Sequence, residues 1–234
     1  MSVRCWAVVP AAGVGRRMGG DIPKQYLDLS GRRIIDHTLS RLLSHPRITA
    51  VYVALSEDDA YWELCDYASD PRVIRVAGGE ARYQSVLNAL NSLLEQASDD
   101  DWVLVHDAAR PCLSDADLSR LIETLHEHPV GGLLGVPVSD TLKWVDSANG
   151  VDATVSREGL WRAFTPQMFR LGLLISSIQA AILSDATITD EAGAMELSGY
   201  TPKIVEGEST NIKITRPGDM QLARLYLQKG ISNS

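Results

Sequence analysis

The stretch RCWAVVPAAGVGRRMG, residues 4–19, decides the fold class of this chain. Its first part, residues 4–9, is almost entirely apolar, which is typical of a buried strand, and Pro10 ends that strand. Its second part is a loop of small residues, glycines and arginines. Such a loop after a buried strand lets backbone N–H groups approach phosphate oxygens closely, so we expect an α/β protein that binds a phosphate-bearing ligand.

Strand-like and helix-like segments alternate after this stretch. Strands are predicted at 48–55, 73–77, 102–105 and 132–136, and helices at 34–43, 58–68, 85–94 and directly after Ser114. Continuous apolar strands between helices predict the α/β class, with a single Rossmann-like, mostly parallel sheet and helices on both faces. Because ligands lie beyond the carboxyl ends of such strands, the loops after residues 9, 77 and 105 should share one edge.

The alternation breaks between residues 139 and 157. Loose alternation over 138–145, a polar turn at 147–150 and a return over 153–156 predict a β-hairpin arm that protrudes from a single domain, 1–234. A helix around 171–183, the segment 189–197, a strand near 203–205 and a terminal helix from Pro217 complete the prediction.

The composition of the chain disfavours several classes of function. The 234 residues carry a net charge of -8, which disfavours general nucleic-acid binding, and 45% of them are hydrophobic, enough for a globular core. Cys5, Cys65 and Cys112 lack CxxC spacing, so we expect neither disulfides nor zinc. No signal-peptide pattern or membrane span is evident, and we expect a cytoplasmic protein.

Positive charge is concentrated near the N-terminus of this acidic chain, at Arg16, Arg17 and Lys24. The glycine spacing of residues 13, 15 and 19 resembles a dinucleotide fingerprint, but the Gly-Lys-Ser/Thr of a Walker loop is absent. We expect Arg17 and Lys24 to neutralise phosphate, while a tight turn with solvated arginines is the alternative.

Two later loops carry further candidates. Gly78 and Gly79 follow a strand and would allow close backbone approach to a flat base, which Ser85 could hydrogen-bond; a plain glycine turn before a helix is the alternative. Asp107 follows another strand and could bind a ribose hydroxyl or a metal–phosphate group, or serve as a turn carboxylate. We interpret the adjacent His106 as structural.

An ordered series of short motifs resembles the 2-C-methyl-D-erythritol 4-phosphate cytidylyltransferase family. The series runs P-A-A-G-x-G-x-R, P-K-Q, G-G-x-x-R-x-x-S-V, H-D-A-A-R-P, D-T-x-K, R-x-x-L-W, T-P-Q, T-D-E-A and N-x-K-x-T. Each motif alone is weak, but the order is specific and covers nearly the whole chain, from about Val8 to Asp219. No following cyclase domain of the fused form is expected.

The resemblance implies roles for particular residues. The catalytic residues would be Arg17 and Lys24, which stabilise the α-phosphate of CTP. The residues around CTP would be Pro10, Ala11, Ala12, Gly13, Gly78, Gly79, Ser85, Asp107 and Ala108. The acceptor would be held by Thr141, Arg157, Thr165, Thr189 and Lys213. The resemblance also implies Mg²⁺ or another divalent cation, held by Asp107 or carried by the CTP phosphates, and a homodimer with exchanged arms.

Three other functions stay open on the sequence alone. Ribitol-5-phosphate cytidylyltransferases share many of these motifs, so the acceptor is less certain than the reaction. An NAD(P)-dependent oxidoreductase would explain the glycine spacing, although no Tyr-x-x-x-Lys pair of the short-chain dehydrogenase type is present. A nucleotide-binding regulator without catalysis would not need both Arg17 and Lys24, because a sensor needs affinity but not transition-state charge.

Overall fold

The computed structural model describes residues 4–13 and 22–232, with side chains as far as residue 228. Its strands are β1 Cys5–Pro10, β2 Asp28–Leu29, β3 Arg32–Arg33, β4 Ile48–Leu55, β5 Val73–Ala77, β6 Trp102–Val105, β7 Gly131–Pro137, β8 Leu142–Val145, β9 Val151–Val155, β10 Trp161–Arg170 and β11 Lys203–Glu206. Its α-helices are α1 Ile34–Ser44, α2 Arg82–Leu93, α3 Asp115–Leu125, α4 Leu171–Leu183, α5 Glu191–Leu197 and α6 Pro217–Ser232, and two 3₁₀ turns lie at Lys24–Tyr26 and Trp62–Leu64.

Seven strands form the central sheet, in the order β11-β7-β10-β6-β1-β4-β5. β1 is parallel to β4 and β6, β4 to β5, and β7 to β11. β10 is antiparallel to both of its neighbours, β6 and β7. The predicted α/β class with a mostly parallel sheet is therefore confirmed.

Both faces of this sheet are covered, which explains why the central strands β1 and β6 are apolar along their whole length. Along β1, Cys5, Ala7 and Val9 join one buried cluster, whereas Trp6 and Val8 join a second cluster. The first cluster includes apolar side chains of α1 and α3, and the second includes those of α2, α4 and α5. The alternation of strand side chains thus places helices on opposite faces of one sheet.

The strand β10 was missing from the sequence-based prediction. Pro166 lies in its middle, and a proline argues against a central strand because it has no N–H to donate. The register between β10 and β7 shifts between Phe164 and Gln167, so the irregularity falls where the proline lies. An apolar pattern alone does not reveal a strand that is interrupted in this way.

Two predicted helices differ from the structure. The helix predicted at 58–68 is wrong: only a 3₁₀ turn forms there, since the Asp59 carboxylate accepts hydrogen bonds from the backbone N–H groups of Tyr61 and Trp62 and favours turns. The helix predicted to begin at Ser85 begins three residues earlier. The Gln84 side chain accepts a hydrogen bond from the Ala81 N–H and so satisfies a donor at the helix start.

A separate antiparallel pair, β8 and β9, lies within the segment 139–157. Asp146 fixes its turn by accepting hydrogen bonds from the N–H groups of Ala148 and Gly150. Trp144 and Val151 are largely exposed on this hairpin, at 69% and 63% of their surface. An antiparallel hairpin therefore forms in this segment, and most of the surface of these two apolar side chains is exposed in the described part of the chain.

Candidate active site

Two adjoining cavities lie where the loops after β1, β5 and β6 meet, as expected for the carboxyl edge of a parallel sheet. The first cavity is lined by Pro10, Ala11, Ala12, Gly13, Lys24, Gln25, Gly79, Glu80, Ala81, Arg82, Ser85, Asp107, Ala108, Ala109 and Lys213. The second cavity is lined by Arg82, Asp107, Arg110, Ala163, Phe164, Thr165, Gln167, Thr189, Asp190 and Lys213.

Three charged residues line both cavities and form the boundary between them: Arg82, Asp107 and Lys213. Asp107 Oδ1 accepts from Arg82 Nε at 3.3 Å, and Asp107 Oδ2 lies 2.9 Å from Lys213 Nζ. Arg110 Nε also approaches Asp107 Oδ2, at 3.3 Å. A single carboxylate therefore holds three cations at the point where the two cavities meet.

The cations determine the charge of this carboxylate. Burial alone would raise the pKa of Asp107, but Arg82, Lys213 and Arg110 outweigh that effect and hold the pKa well below its ordinary value. Burial likewise tends to lower the pKa of Arg82, and Glu191 and Asp107 leave it raised. Asp107 is thus an anion and Arg82 a cation throughout the neutral range.

A hydrogen-bonded chain fixes the backbone beside Asp107. The Asp107 N–H donates to Thr165 Oγ1 at 3.0 Å, and Thr165 Oγ1 lies 2.9 Å from His106 Nδ1. His106 Nε2 lies 3.1 Å from the carbonyl oxygen of Arg110, which only accepts. His106 must therefore carry its proton on Nε2 and accept the Thr165 hydroxyl proton at Nδ1. This confirms the structural interpretation of His106.

The stability of the fold should depend on this histidine at mildly acidic pH. Burial lowers the pKa of His106 to about 4, from an ordinary 6.5. As pH falls from 6.5 toward 4, the unfolded chain binds a proton that the folded chain does not, so this term lowers the free energy of unfolding by about 3 kcal/mol.

His106→Gln should remove that part of the pH dependence, because a glutamine binds no proton in this range. Urea unfolding of the wild type and the variant at several pH values between 8 and 4 checks this. Burial also lowers the pKa of His37 and His45, and these two histidines are present in both proteins. The quantity to compare is therefore the difference in the free energy of unfolding between the wild type and the variant at each pH. Parallel pH profiles would show that His106 is not the buried neutral group proposed.

Gln25, the residue next to Lys24, binds the first residues after β1. Gln25 is buried, and its Nε2 donates to the carbonyl oxygens of Ala11 at 2.7 Å and Gly13 at 3.3 Å. These two hydrogen bonds hold residues 11–13 to the 3₁₀ turn at Lys24–Tyr26. Lys24 Nζ donates to the carbonyl oxygen of Ile214 at 3.1 Å, which connects this turn to the segment that carries Lys213.

The glycine pair after β5 has a packing role. A Cβ on Gly78 would lie 2.3 Å from the Cβ of Ala12, and one on Gly79 would lie 2.4 Å from the Cβ of Gln84. Contacts this short do not occur between non-bonded carbon atoms. A side chain at position 78 would therefore separate the β5 loop from the β1 loop, and one at position 79 would collide with the start of α2. The predicted contact of both glycines with a base stays a prediction.

The structure brings most of the predicted site residues together. The first cavity includes every predicted CTP-binding residue except Gly78, which lies behind its wall against Ala12. The second cavity includes three of the predicted acceptor-binding residues: Thr165, Thr189 and Lys213. Thr141 and Arg157 line neither cavity. Arg17 lies outside the described residues.

Thr141 and Arg157 belong to the hairpin segment instead. Arg157 is exposed, and its guanidinium donates to the carbonyl oxygen of Ser139 at the base of the hairpin. Neither residue reaches the cavities of its own chain, so an acceptor-binding role for them would require a second chain.

The residues fit a magnesium ion carried by a nucleotide. Within the described ranges, no group of three or more His, Cys, Asp or Glu side chains is placed to hold a metal ion. Asp107 is the carboxylate that faces both cavities, and Mg²⁺ in phosphoryl-transfer sites is usually bound by one or two carboxylates together with substrate phosphates. Asp107 could supply one oxygen, and the phosphates would supply others.

Sequence reasoning gave no role to three charged residues of the site, Arg82, Arg110 and Glu191. Arg82 and Arg110 both follow strand ends at the predicted edge, and that position was the available signal. Glu191 lies far along the chain at the start of α5, and only the fold brings it to Arg82. In the part of the chain that is described, no helix is long and apolar enough to cross a bilayer.

Comparisons of the sequence and of the structure with known proteins find similar cytidylyltransferases. The chain is 54% identical over 220 residues to the 2-C-methyl-D-erythritol 4-phosphate cytidylyltransferase of Pseudomonas putida strain GB-1, covering 94% of each chain. A crystal structure of a 4-diphosphocytidyl-2C-methyl-D-erythritol synthase superposes with a TM-score of 0.85 and 36% identity, over 97% of this chain and 100% of that one. The crystal structure of the Francisella tularensis 2-C-methyl-D-erythritol 4-phosphate cytidylyltransferase superposes with a TM-score of 0.84 and 37% identity, over 95% of this chain and 99% of that one.

Taken with these matches, the fold and the paired cavities define the chain as a nucleotidyltransferase. The model of the 2-C-methyl-D-erythritol 4-phosphate cytidylyltransferase (IspD) family matches residues 5–229. The chain belongs to that family, and the alternative of an NAD(P)-dependent oxidoreductase is thereby set aside.

Proposed function

We propose that CTP binds in the first cavity and 2-C-methyl-D-erythritol 4-phosphate in the second, and that the chain transfers CMP between them with release of pyrophosphate. The observation that carries this proposal is the boundary of Arg82, Asp107 and Lys213, which faces both cavities. Joining two phosphates requires that they meet at one point with their charge neutralised. A boundary with two cations and one anion meets that requirement.

The chemistry needs no protein nucleophile. The acceptor phosphate is already an anion at neutral pH, so its oxygen attacks the α-phosphorus of CTP directly. A new P–O bond forms, and the bond from the α-phosphorus to the bridging oxygen of pyrophosphate breaks. The protein supplies alignment and positive charge, from Lys24 in the first cavity, from Arg17 by family resemblance, and from Lys213 at the boundary.

Magnesium is part of the proposal as an ion that accompanies the triphosphate, with Asp107 as its candidate protein ligand. When bound, it would neutralise triphosphate charge and so reduce repulsion between the two substrates. Removing divalent cations with a chelator should therefore abolish transfer. The proposal also includes a cytoplasmic location, which is supported by three buried, unpaired cysteines.

We further propose a homodimer in which the hairpins are exchanged. An isolated two-stranded hairpin is marginal in water and needs a surface to pack against. Exposed Trp144 and Val151 would supply the apolar contact, and a two-fold dimer would use the same contact twice. Arg157 and Thr141 would then reach the second cavity of the partner chain, which explains why they line no cavity of their own.

The acceptor should be 2-C-methyl-D-erythritol 4-phosphate in preference to ribitol 5-phosphate. The basis is the family match over residues 5–229 together with the 54% identity to a relative named for the first acceptor. Pyrophosphate release measured with CTP, Mg²⁺ and each acceptor in turn should give the higher kcat/KM with methylerythritol phosphate. Equal or faster turnover of ribitol 5-phosphate would overturn the choice of acceptor but not the reaction. No release with either acceptor would overturn the proposed function.

A further inference from the structure

Arg82 is held by a second carboxylate that belongs to neither the β5 loop nor the β6 loop. Its two terminal nitrogens donate to both oxygens of Glu191, at 2.6 Å for Nη1 and 3.1 Å for Nη2. Glu191 is 2% exposed, whereas the Arg82 side chain is 30% exposed. The carboxylate is thus a buried anchor, and the guanidinium is the part of the pair that faces the cavities.

This pairing fixes the direction of the guanidinium. A guanidinium has five N–H bonds in one plane. One of them, on Nε, donates to Asp107, and one on each terminal nitrogen donates to Glu191. Among the described residues, none accepts from the remaining two N–H bonds, one on each terminal nitrogen, and these could donate to a ligand. Because a two-point ion pair sets both position and plane, these two donors have a defined direction.

Glu191 is itself held rigidly. It begins α5, and the preceding Asp190 caps that helix by accepting from the Gly193 N–H at 2.9 Å. Gln167 of β10 donates to Asp190 at 2.9 Å and accepts from the Ala192 N–H at 2.7 Å. The start of α5 is thus bound to a strand of the central sheet, so Glu191 is a fixed partner for Arg82 beside the second cavity.

We propose that Glu191 is a positioning residue for CMP transfer: it fixes the Arg82 guanidinium at the boundary of the two cavities, where Arg82 contacts the reacting phosphates. Without Glu191, Asp107 would be the one carboxylate partner left to Arg82 among the described residues, and Arg82 would turn its terminal nitrogens toward it. Asp107 would then lose part of its contact with Lys213, and the three charged side chains would no longer keep their positions at the boundary of the two cavities. The proposal rests on the proposed function, since it concerns the phosphates that meet there.

Kinetics of four variants test the proposal. Glu191→Gln keeps the size of the side chain but removes its charge, and it should lower kcat by about 10- to 100-fold with a smaller change in the KM for CTP. Arg82→Ala should lower kcat at least as much. The double variant should be no slower than Arg82→Ala, because Glu191 acts through Arg82. Glu196→Gln, at an exposed position of the same helix, is the matched control and should keep wild-type kcat.

A purely structural role would give a different pattern. If Glu191→Gln slowed the reaction equally with and without Arg82, or matched Glu196→Gln in kcat, the proposal would be overturned. Thermal unfolding of each variant identifies any loss that comes from misfolding. Where Glu191→Gln does not fold well enough to assay, Glu191→Asp serves instead. Its carboxylate is one methylene shorter, so it should still lower kcat, and only where Arg82 is present.

An NMR measurement tests whether Glu191 positions Arg82, independently of enzyme activity. Rotation of an arginine guanidinium broadens its N–H signals, and a two-point ion pair slows that rotation. In ¹⁵N-labelled protein, the wild type and Glu196→Gln should show resolved Arg82 side-chain N–H signals, assigned by their absence in Arg82→Lys, and Glu191→Gln should lose them. Persistence of these signals in Glu191→Gln would show that Glu191 does not position Arg82. Absence of product from the wild type would instead refute the proposed function and leave this measurement decisive.

Discussion

Replacing Lys24 with alanine should lower kcat by on the order of 10²-fold or more, with a smaller effect on the affinity for CTP. Lys24 lines the first cavity, and its ammonium group is held by the carbonyl of Ile214, close in sequence to Lys213. A donor fixed in this way stabilises charge that develops during transfer more than it stabilises the bound nucleotide. By family resemblance, Arg17→Ala should behave similarly.

Pyrophosphate release under single-turnover conditions, with CTP affinity from a separate titration, checks this prediction. Lys203→Ala removes the same charge from an exposed position on β11 and should leave both quantities unchanged. A Lys24→Ala variant that raises only the KM for CTP would show that Lys24 contributes ordinary ground-state binding.

Mixing two inactive variants, Lys24→Ala and Arg157→Ala, should restore activity. In the proposed dimer, each site takes Lys24 from one chain and Arg157 from the other. One site of a mixed dimer lacks both residues, and the other keeps both. Random pairing of equal amounts makes about half of the dimers mixed, so about a quarter of all sites should recover wild-type activity.

Subunit exchange has to be shown separately in this experiment, for example by co-purification of two differently tagged chains. Complete exchange with activity no higher than that of the separate variants would mean that Arg157 does not act across the interface. Trp144→Ser is a useful companion variant because it changes the exposed apolar contact of the hairpin without altering either charge. It should weaken the dimer and, with it, the activity at low protein concentration.

Local pattern was enough to predict the parallel part of the sheet. The bounds predicted for β4, β5 and β6 agree with the structure because each strand is a short, mostly apolar run, with Thr49 in β4 and Arg75 in β5 as the exceptions. The position of Asp107 at a strand end placed it correctly in the cleft. By contrast, β10 is interrupted by Pro166, and its place in the sheet depends on two long-range pairings that local sequence does not carry.

Some charged residues of the site could likewise be identified from the sequence, whereas others could be identified only from the structure. Lys24 and Lys213 were given roles because the family resemblance assigns them. Arg82 and Glu191 also stand in the quoted motifs, but the two are separated by 109 positions, and no local spacing predicts that they pair. Their contact becomes evident only when α2 and α5 are placed on the same face of the sheet. Ion pairs between distant segments therefore required the structure.

The reversed direction of β10 has a consequence for how this protein responds to changes at a distance from the cleft. Because β10 is antiparallel to β6 and β7, it starts at the edge where those strands end, and Trp161 pairs with Pro137 there. The hairpin between β7 and β10 therefore leaves the body on the catalytic side. A compound, antibody or insertion directed at the hairpin would act beside the cleft. Inhibitors of the proposed contact between the hairpins of two chains should consequently reduce turnover without competing with CTP.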